Sequence, residues 1–371
     1  MPFDRSFFCA LLGSSLALCP TAHGAAFYNL GAVTGSLSHN GKYFVATMST
    51  GAVYRWTAAT GLQPVGINLG AFFTAHAISD DGLVIAGDRV VAGTQTAFRW
   101  TSAGGFTNLG DLPGGSTYSQ STAMSADGSV IVGGSPSAAS GTNGEAFRWT
   151  AATGMVPLGD LTGGAYNSIA LACSADGSVV VGNGTQAAGT EGFRWTFAGG
   201  IVGLGALNPN SFNSQAYDVS ADGQVVVGYS TDGLLREQAT RWTAPGTFTP
   251  LGFASGNPNE WSQAHAVNAV GDLIIGNNNT GDAKGLLWDP THGTRYLLNA
   301  LQSDFGVPVP AGWKVDGGWD LSDDGSVIAG TGYSPAGIYS TWIAVVPEPG
   351  VATATAVLFA CTVHRARRTP P

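Results

Sequence analysis

The chain repeats itself seven times, and no other feature constrains its fold as strongly. A Trp in an Arg-Trp-Thr-like setting stands at Trp56, Trp100, Trp149, Trp195, Trp242, Trp288 and Trp342, with spacings of 44, 49, 46, 47, 46 and 54 residues. A turn glycine recurs at Gly41, Gly82, Gly128, Gly177, Gly223, Gly271 and Gly325. A Leu-Gly pair or a variant of it begins at Leu30, Leu69, Leu109, Leu158, Leu204, Leu251 and Leu297. Residues 25–346 therefore divide into units averaging 46 residues.

Each unit holds four short strand patterns, clearest at Ser168–Cys173, Ser178–Val181, Glu191–Phe197 and Gly200–Leu204. Val-rich runs bounded by Gly turns are strand signals, and four strands in this length make a propeller blade. Leucine-rich repeats are shorter, and a helical repeat needs a 3.6-residue periodicity that is missing. The chain opens with a fourth-type strand, Phe27–Leu30, and its last unit ends on a third-type strand, Ser340–Val345. The expected fold is an all-β, seven-bladed β-propeller with four antiparallel strands per blade. The N-terminal strand completes the last blade, which closes the ring and removes a free sheet edge.

Composition agrees. Gly is 55 of 371 residues, and charged residues are 11% against a usual share of about 25%. With 10 Trp, 17 Phe and 10 Tyr the chain has too many apolar anchors to be disordered. The net charge of −9 leaves no basic surplus for phosphates, so no nucleic-acid partner is expected.

The ends carry addresses. Arg5 precedes the apolar run from Phe7 to Cys19, and small residues follow, so residues 1–24 read as a secretory signal cleaved between Gly24 and Ala25. Residues 347–371 begin with Pro347-Glu348-Pro349, continue through an apolar stretch from Val351 to Val363, and end in Arg365, Arg367 and Arg368. Thirteen residues of helix span roughly 20 Å, short of a hydrocarbon core of ~30 Å. This tail resembles the PEP-CTERM sorting signal: a Pro-Glu-Pro, a short hydrophobic helix and an Arg-rich stop. The resemblance implies two partners, the export machinery and an exosortase-type sorting enzyme. It also implies transient membrane contact through the tail. The destination it implies is the outer surface or extracellular matrix of a Gram-negative-type bacterium, with exopolysaccharide as a candidate ligand. Only Cys173 remains in the repeat body, so no disulfide is expected there.

The repeats resemble the extracellular HAF-family repeat, on the segments Ala97-Phe98-Arg99-Trp100, Ala146-Phe147-Arg148-Trp149 and Gly192-Phe193-Arg194-Trp195. The family's His before the Ala is replaced by Thr96 or Glu145. That resemblance brings no chemistry with it.

Most repeated residues read as structural. Asp-Gly at Asp81, Asp127, Asp176, Asp222 and Asp324, with Asn40-Gly41 in the first copy, is the signature of a two-residue type I′ hairpin. Arg55, Arg99, Arg148, Arg194 and Arg241 are expected to pack their stems between blades and cap backbone carbonyls. Cys173 takes a column otherwise filled by apolar residues and reads as core. No catalytic residue, metal ligand or cofactor site is expected, and an enzyme such as a propeller hydrolase or lyase is the least favoured reading. The leading expectation is an exported, non-catalytic structural or binding scaffold. The alternative is a carbohydrate-binding propeller. Its platform would be the aromatics of the blade-to-blade crossings: Phe72, Tyr118, Tyr166, Phe212, Trp261 and Trp313.

Overall fold

The computed structural model describes residues 24–68, 74–210, 212–255, 257, 260–278 and 284–347. Phe72, Glu348, Pro349, Arg365, Arg367, Arg368 and the signal segment before Gly24 lie outside the described residues. The repeat body forms one compact unit, Ala25–Val346.

Its strands follow the repeats. β1 is Ala26–Gly31; β2 to β5 are Val33–Leu37, Phe44–Met48, Ala52–Thr57 and Gly61–Asn68. β6 to β9 are Thr74–Ile78, Val84–Val91, Thr94–Thr101 and Gly105–Asn108. β10 to β13 are Gln120–Met124, Val130–Ser135, Glu145–Thr150 and Gly154–Gly159. β14 to β17 are Ile169–Cys173, Val179–Gln186, Gly189–Thr196 and Gly200–Gly203. β18 to β21 are Phe212–Val219, Val226–Thr231, Glu237–Ala244 and Thr247–Pro250. β22 to β25 are Ser262–Val267, Ile274–Asn278, Gly285–Asp289 and Gly293–Tyr296, and β26 to β28 are Lys314–Leu321, Val327–Tyr333 and Tyr339–Val345.

The fold is all-β and propeller-like, built from four-stranded antiparallel blades. Five sheets are separate and four-stranded, one of them made of β26, β27, β28 and β1. The expected seven blades do not stand as seven sheets: β14–β17 and β18–β21 run together as a single eight-stranded sheet. The join is a short parallel contact of Gly189 and Thr190 with Phe212 and Asn213. Gly189 permits it, since a Cβ there would lie 2.1 Å from the Phe212 carbonyl oxygen.

A second difference is the crossing into β26, which makes a single α turn at Leu297–Asn299 and a π turn at Ala300–Asp304. Leu297 and Leu301 are fully buried there, so packing rather than a repeat pattern dictates those turns.

The core lies between blades. All six residues of β11 are buried, as a strand covered on both faces must be. Phe98, Phe147 and Phe193 are inaccessible, and Trp56, Trp242 and Trp342 nearly so. Cys173 is buried among Val130, Phe193 and Trp195, the core role read from its column.

The Asp-Gly turns differ from the expected hairpin type. Among the described non-glycine residues only Ala92 and Leu235 have positive φ, so the aspartates do not adopt a type I′ turn. Ser79 N–H donates to the Val84 carbonyl (3.0 Å) and Gly82 N–H to the Ser79 carbonyl (2.8 Å), so four residues make the connection. Such loops are built around a type I turn followed by a left-handed residue. The Asp81 carboxylate accepts from Ser79 Oγ at 2.5 Å and from Leu83 N–H at 2.9 Å. Asn40 makes the same pair of bonds at 2.9 and 3.0 Å, so the position needs an oxygen and not a charge.

Each turn glycine faces the preceding blade. A Cβ on Gly128, Gly177, Gly223 or Gly271 would lie 2.8, 2.6, 2.4 or 2.4 Å from Val84, Val130, Val179 or Val225. The repeated arginines close the same contact, as their sequence position suggests. Arg55, Arg99, Arg148, Arg194 and Arg241 donate to the carbonyls of Gly82, Gly128, Gly177, Gly223 and Gly271 at 2.9 to 3.2 Å.

Gly177→Ala should destabilise the fold by about 2–4 kcal/mol, from a left-handed φ of +65° and a clash with Val130. Gly61→Ala, at φ +62° with open space around it, should cost only about 1–2 kcal/mol. Chemical denaturation of the two variants measures the difference, and equal losses would refute the inter-blade contact as the cause.

Candidate functional site

The first strands of successive repeats lie side by side: β2, β6, β10, β14, β18, β22 and β26 in order. Six of the seven are bulged, with register shifts at Ala75/Ala77, Ser121/Ala123, Ala170/Ala172, Ala216/Asp218, Ala264/Ala266 and Gly318/Asp320. A bulge leaves one residue out of the ladder and re-aims its side chain. Those residues are His76, Thr122, Leu171, Tyr217, His265 and Trp319.

Four of them, Thr122, Tyr217, His265 and Trp319, meet a neighbouring repeat. Tyr217 stacks on His265 with ring centroids 5.0 Å apart, and His265 meets Trp319 at 4.4 Å. Thr122 Oγ1 donates to the Ala170 carbonyl at 2.9 Å. Trp319 Nε1 donates to Thr331 Oγ1 at 2.6 Å while its ring remains 41% exposed. Burial lowers the His265 pKa to about 4 against the bond to Asn277, so this ring is neutral at pH 7.

Among the bulged strands is a chamber of about 110 Å³ whose lining includes His39, His76, Asp218, Asp320 and Asp323. Hydrogen bonds also run from turn to turn between successive repeats. Asp80 N–H donates to the Ala126 carbonyl, Ala126 to Ala175, Ala175 to Ala221, Ala269 to Asp323, and Asp323 to His39, at 2.7 to 3.2 Å. Asn40 N–H donates to the Asp80 carboxylate at 2.9 Å.

The chamber's carboxylates bind backbone. Asp320 accepts from Ser36 Oγ and Leu37 N–H, both at 2.7 Å. Asp218 accepts from Val267 N–H at 2.9 Å. Burial pushes Asp218 up to about 7, against its backbone donors, and raises Asp320 as well. Burial alone would lower His39, but the Asp323 carboxylate 3.7 Å away and the Met124 carbonyl outweigh it and raise its pKa to about 9.

This arrangement can hold protons, and its rings can hold a flat or apolar group. Among the described residues no cluster of His, Cys, Asp or Glu could hold a metal ion. Burial drives the Cys173 thiol up to about 12, which makes it a poor nucleophile.

The described members of the expected aromatic platform differ in burial and in what holds them. Tyr118 is half-buried and donates to Gln120 Oε1 at 2.7 Å, while Tyr166 donates to Glu145 Oε1 at 2.7 Å. Phe212 and Trp261 are half-buried. Trp313 offers no platform: it is 5% exposed, edge-on to Phe27 at 5.0 Å. The buried Leu301, Val307 and Val309 of the longer last crossing pack with it. Gly24 is exposed, and Pro347 ends the described residues.

Spacing alone puts His76 and His265 in one column, but it does not add Tyr217 and Trp319 to them as a set of rings. Their signal was a variable column inside a uniform strand, as in Ala75-His76-Ala77, Ala170-Leu171-Ala172 and Ala264-His265-Ala266.

No protein-family model matches the chain, and no curated protein does. Similar solved structures include a protein assigned as TolB from Agrobacterium tumefaciens, at 15% identity and TM-score 0.44, over 86% of this chain and 97% of that one. TolB from Acinetobacter baumannii is 12% identical with TM-score 0.43, over 85% of this chain and 80% of that one.

His39 is raised above its ordinary value, so its contribution is complete below about pH 6.5 and is lost as pH rises toward 9. The thermal midpoint should therefore fall between pH 6.5 and 9.5. In His39→Asn that alkaline fall should be shallower, and an unchanged slope would refute the role of His39.

Proposed function

We propose that the protein is an exported, non-catalytic propeller scaffold of the bacterial surface or matrix. The observation that carries this reading is the use made of its repeated polar residues. The turn aspartates hold turns, the arginines latch turn carbonyls, and Asp218 and Asp320 bind backbone N–H groups. The secretory signal and the PEP-CTERM-like tail support export followed by exosortase-type processing.

The same reading counts seven blades. The shortness of the parallel join, two residue pairs, supports reading the eight-stranded sheet as two blades. β1 pairs antiparallel with β28, which supports closure of the ring by the N-terminal strand. Phe27 stacks on Trp342 at 5.6 Å, and Tyr28 meets Trp56 of the next sheet at 5.2 Å.

A second reading, carbohydrate binding, is favoured by one cavity beside Tyr118 whose lining carries hydroxyls, an amide and a carboxylate. Exopolysaccharide is the natural candidate in that setting.

Two measurements test the scaffold. In a host with an exosortase-type enzyme, the mature protein should begin at Ala25 and lack residues 351–371. A mass that retains both ends overturns the export and processing reading. Deletion of residues 26–31 should lower stability by well over the ~1 kcal/mol of an ordinary point change. Unaltered unfolding would remove closure from the account.

A further inference from the structure

Beside the crossing from β9 to β10 lies a cavity of about 230 Å³ that shares no lining residue with the chamber around His39. One water needs about 10–15 Å³ of such space, so the cavity admits a group much larger than a single water. Its lining includes Thr94, Thr96, Asn108, Asp111, Thr117 and Tyr118.

Asp111 is the unusual member. It belongs to Leu109-Gly110-Asp111-Leu112, which recurs as Leu158-Gly159-Asp160-Leu161. Asp160 is consumed by its own fold: it accepts from Leu161, Asn167 and Thr185 N–H at 2.7, 2.7 and 3.0 Å. Asp111 makes no hydrogen bond or ion pair among the described residues, and it is exposed. Its blade staples the crossing another way, with Leu112 N–H donating to Ser135 Oγ at 3.0 Å. A third blade repeats that staple from Leu207 N–H to Ser230 Oγ at 2.9 Å, with Ala206 where the aspartate would be. The fold does not need a carboxylate at this position.

The neighbours are set for recognition. Asn108 Oδ1 accepts both Nε and an Nη of Arg89, at 3.1 and 2.7 Å, which leaves its amide N–H groups as donors. The Tyr118 hydroxyl is tied to Gln120, which fixes the ring at the cavity edge. An acceptor, a donor pair, three hydroxyls and an aromatic ring match a sugar, whose vicinal hydroxyls donate and accept while its C–H face stacks.

We propose that this cavity is a subsite for a neutral pyranose unit of a glycan. Asp111 and Asn108 take a vicinal diol, and Tyr118 packs against the ring. The proposal rests on the carbohydrate-binding reading and gives it a site. Arg89 is committed to Asn108 and to the face of Phe106, 4.9 Å away, so an acidic sugar would meet Asp111 without a free cation.

Titration calorimetry of the full exported chain with cellohexaose and laminarihexaose tests it. At least one should bind, and Asp111→Ala should weaken that binding tenfold or more with unfolding unchanged, as the sibling Ala206 indicates. Tyr118→Ala should weaken it as well. Hexagalacturonate should bind poorly to the wild type and better to Asp111→Asn. Binding that survives Asp111→Ala would refute this site while leaving glycan recognition in place. Absence of binding to both neutral probes would refute the site and the reading together. Asp111→Ala decides alone if the tyrosine variant fails to fold.

Discussion

The seating of each turn glycine against the blade before it is the contact on which this architecture depends. The position must be left-handed and must have no side chain, because a Cβ would enter the Val, Tyr or Leu it faces. The carbonyl of the same glycine accepts the arginine of the preceding blade in five of the seven repeats. Shape and hydrogen bonding thus act at one point. Gly41 makes the corresponding approach to Ser322 and Val327, so the first and last repeats meet through the same device.

With blades held at their turns, the inner strands are free to vary. Their bulges aim one residue per repeat away from the ladder, and that column runs through His, Thr, Leu, Tyr, His and Trp. Charge in the chamber gathers where the chain's beginning and end meet. His39 faces Asp323, and Asp320 binds Ser36 and Leu37. Backbone donors and a nearby imidazolium offset part of the cost of burying a carboxylate there.

Repetition also separates structural from surplus groups. One motif places Asp111 and Asp160 at equivalent sites, yet only Asp160 is spent on backbone. Where a sibling repeat manages with Ala206, a carboxylate kept exposed beside a cavity has no folding role to explain it.

Periodicity and composition alone determined the all-β class, the four-strand unit, the burial of the Phe and Trp columns and the capping role of the arginines. These follow from local spacing: residues two apart on a strand share a face, and a 46-residue unit leaves room for four strands. The turn aspartates were legible as turn residues, but not their geometry, because the Ser79 to Val84 pairing that lengthens the loop leaves no mark in an Asp-Gly pair. Only tertiary structure joined two blades at Gly189, buried Trp313 under the last crossing and brought Tyr217, His265 and Trp319 together. It also decided which aspartate stays free. Ser135 staples one crossing, whereas Gly184 at the equivalent place cannot, so Asp160 must. Ser135 lies 24 residues from Asp111 and Thr185 lies 25 from Asp160, and only the packing of crossing against loop brings such distant groups within hydrogen-bond reach.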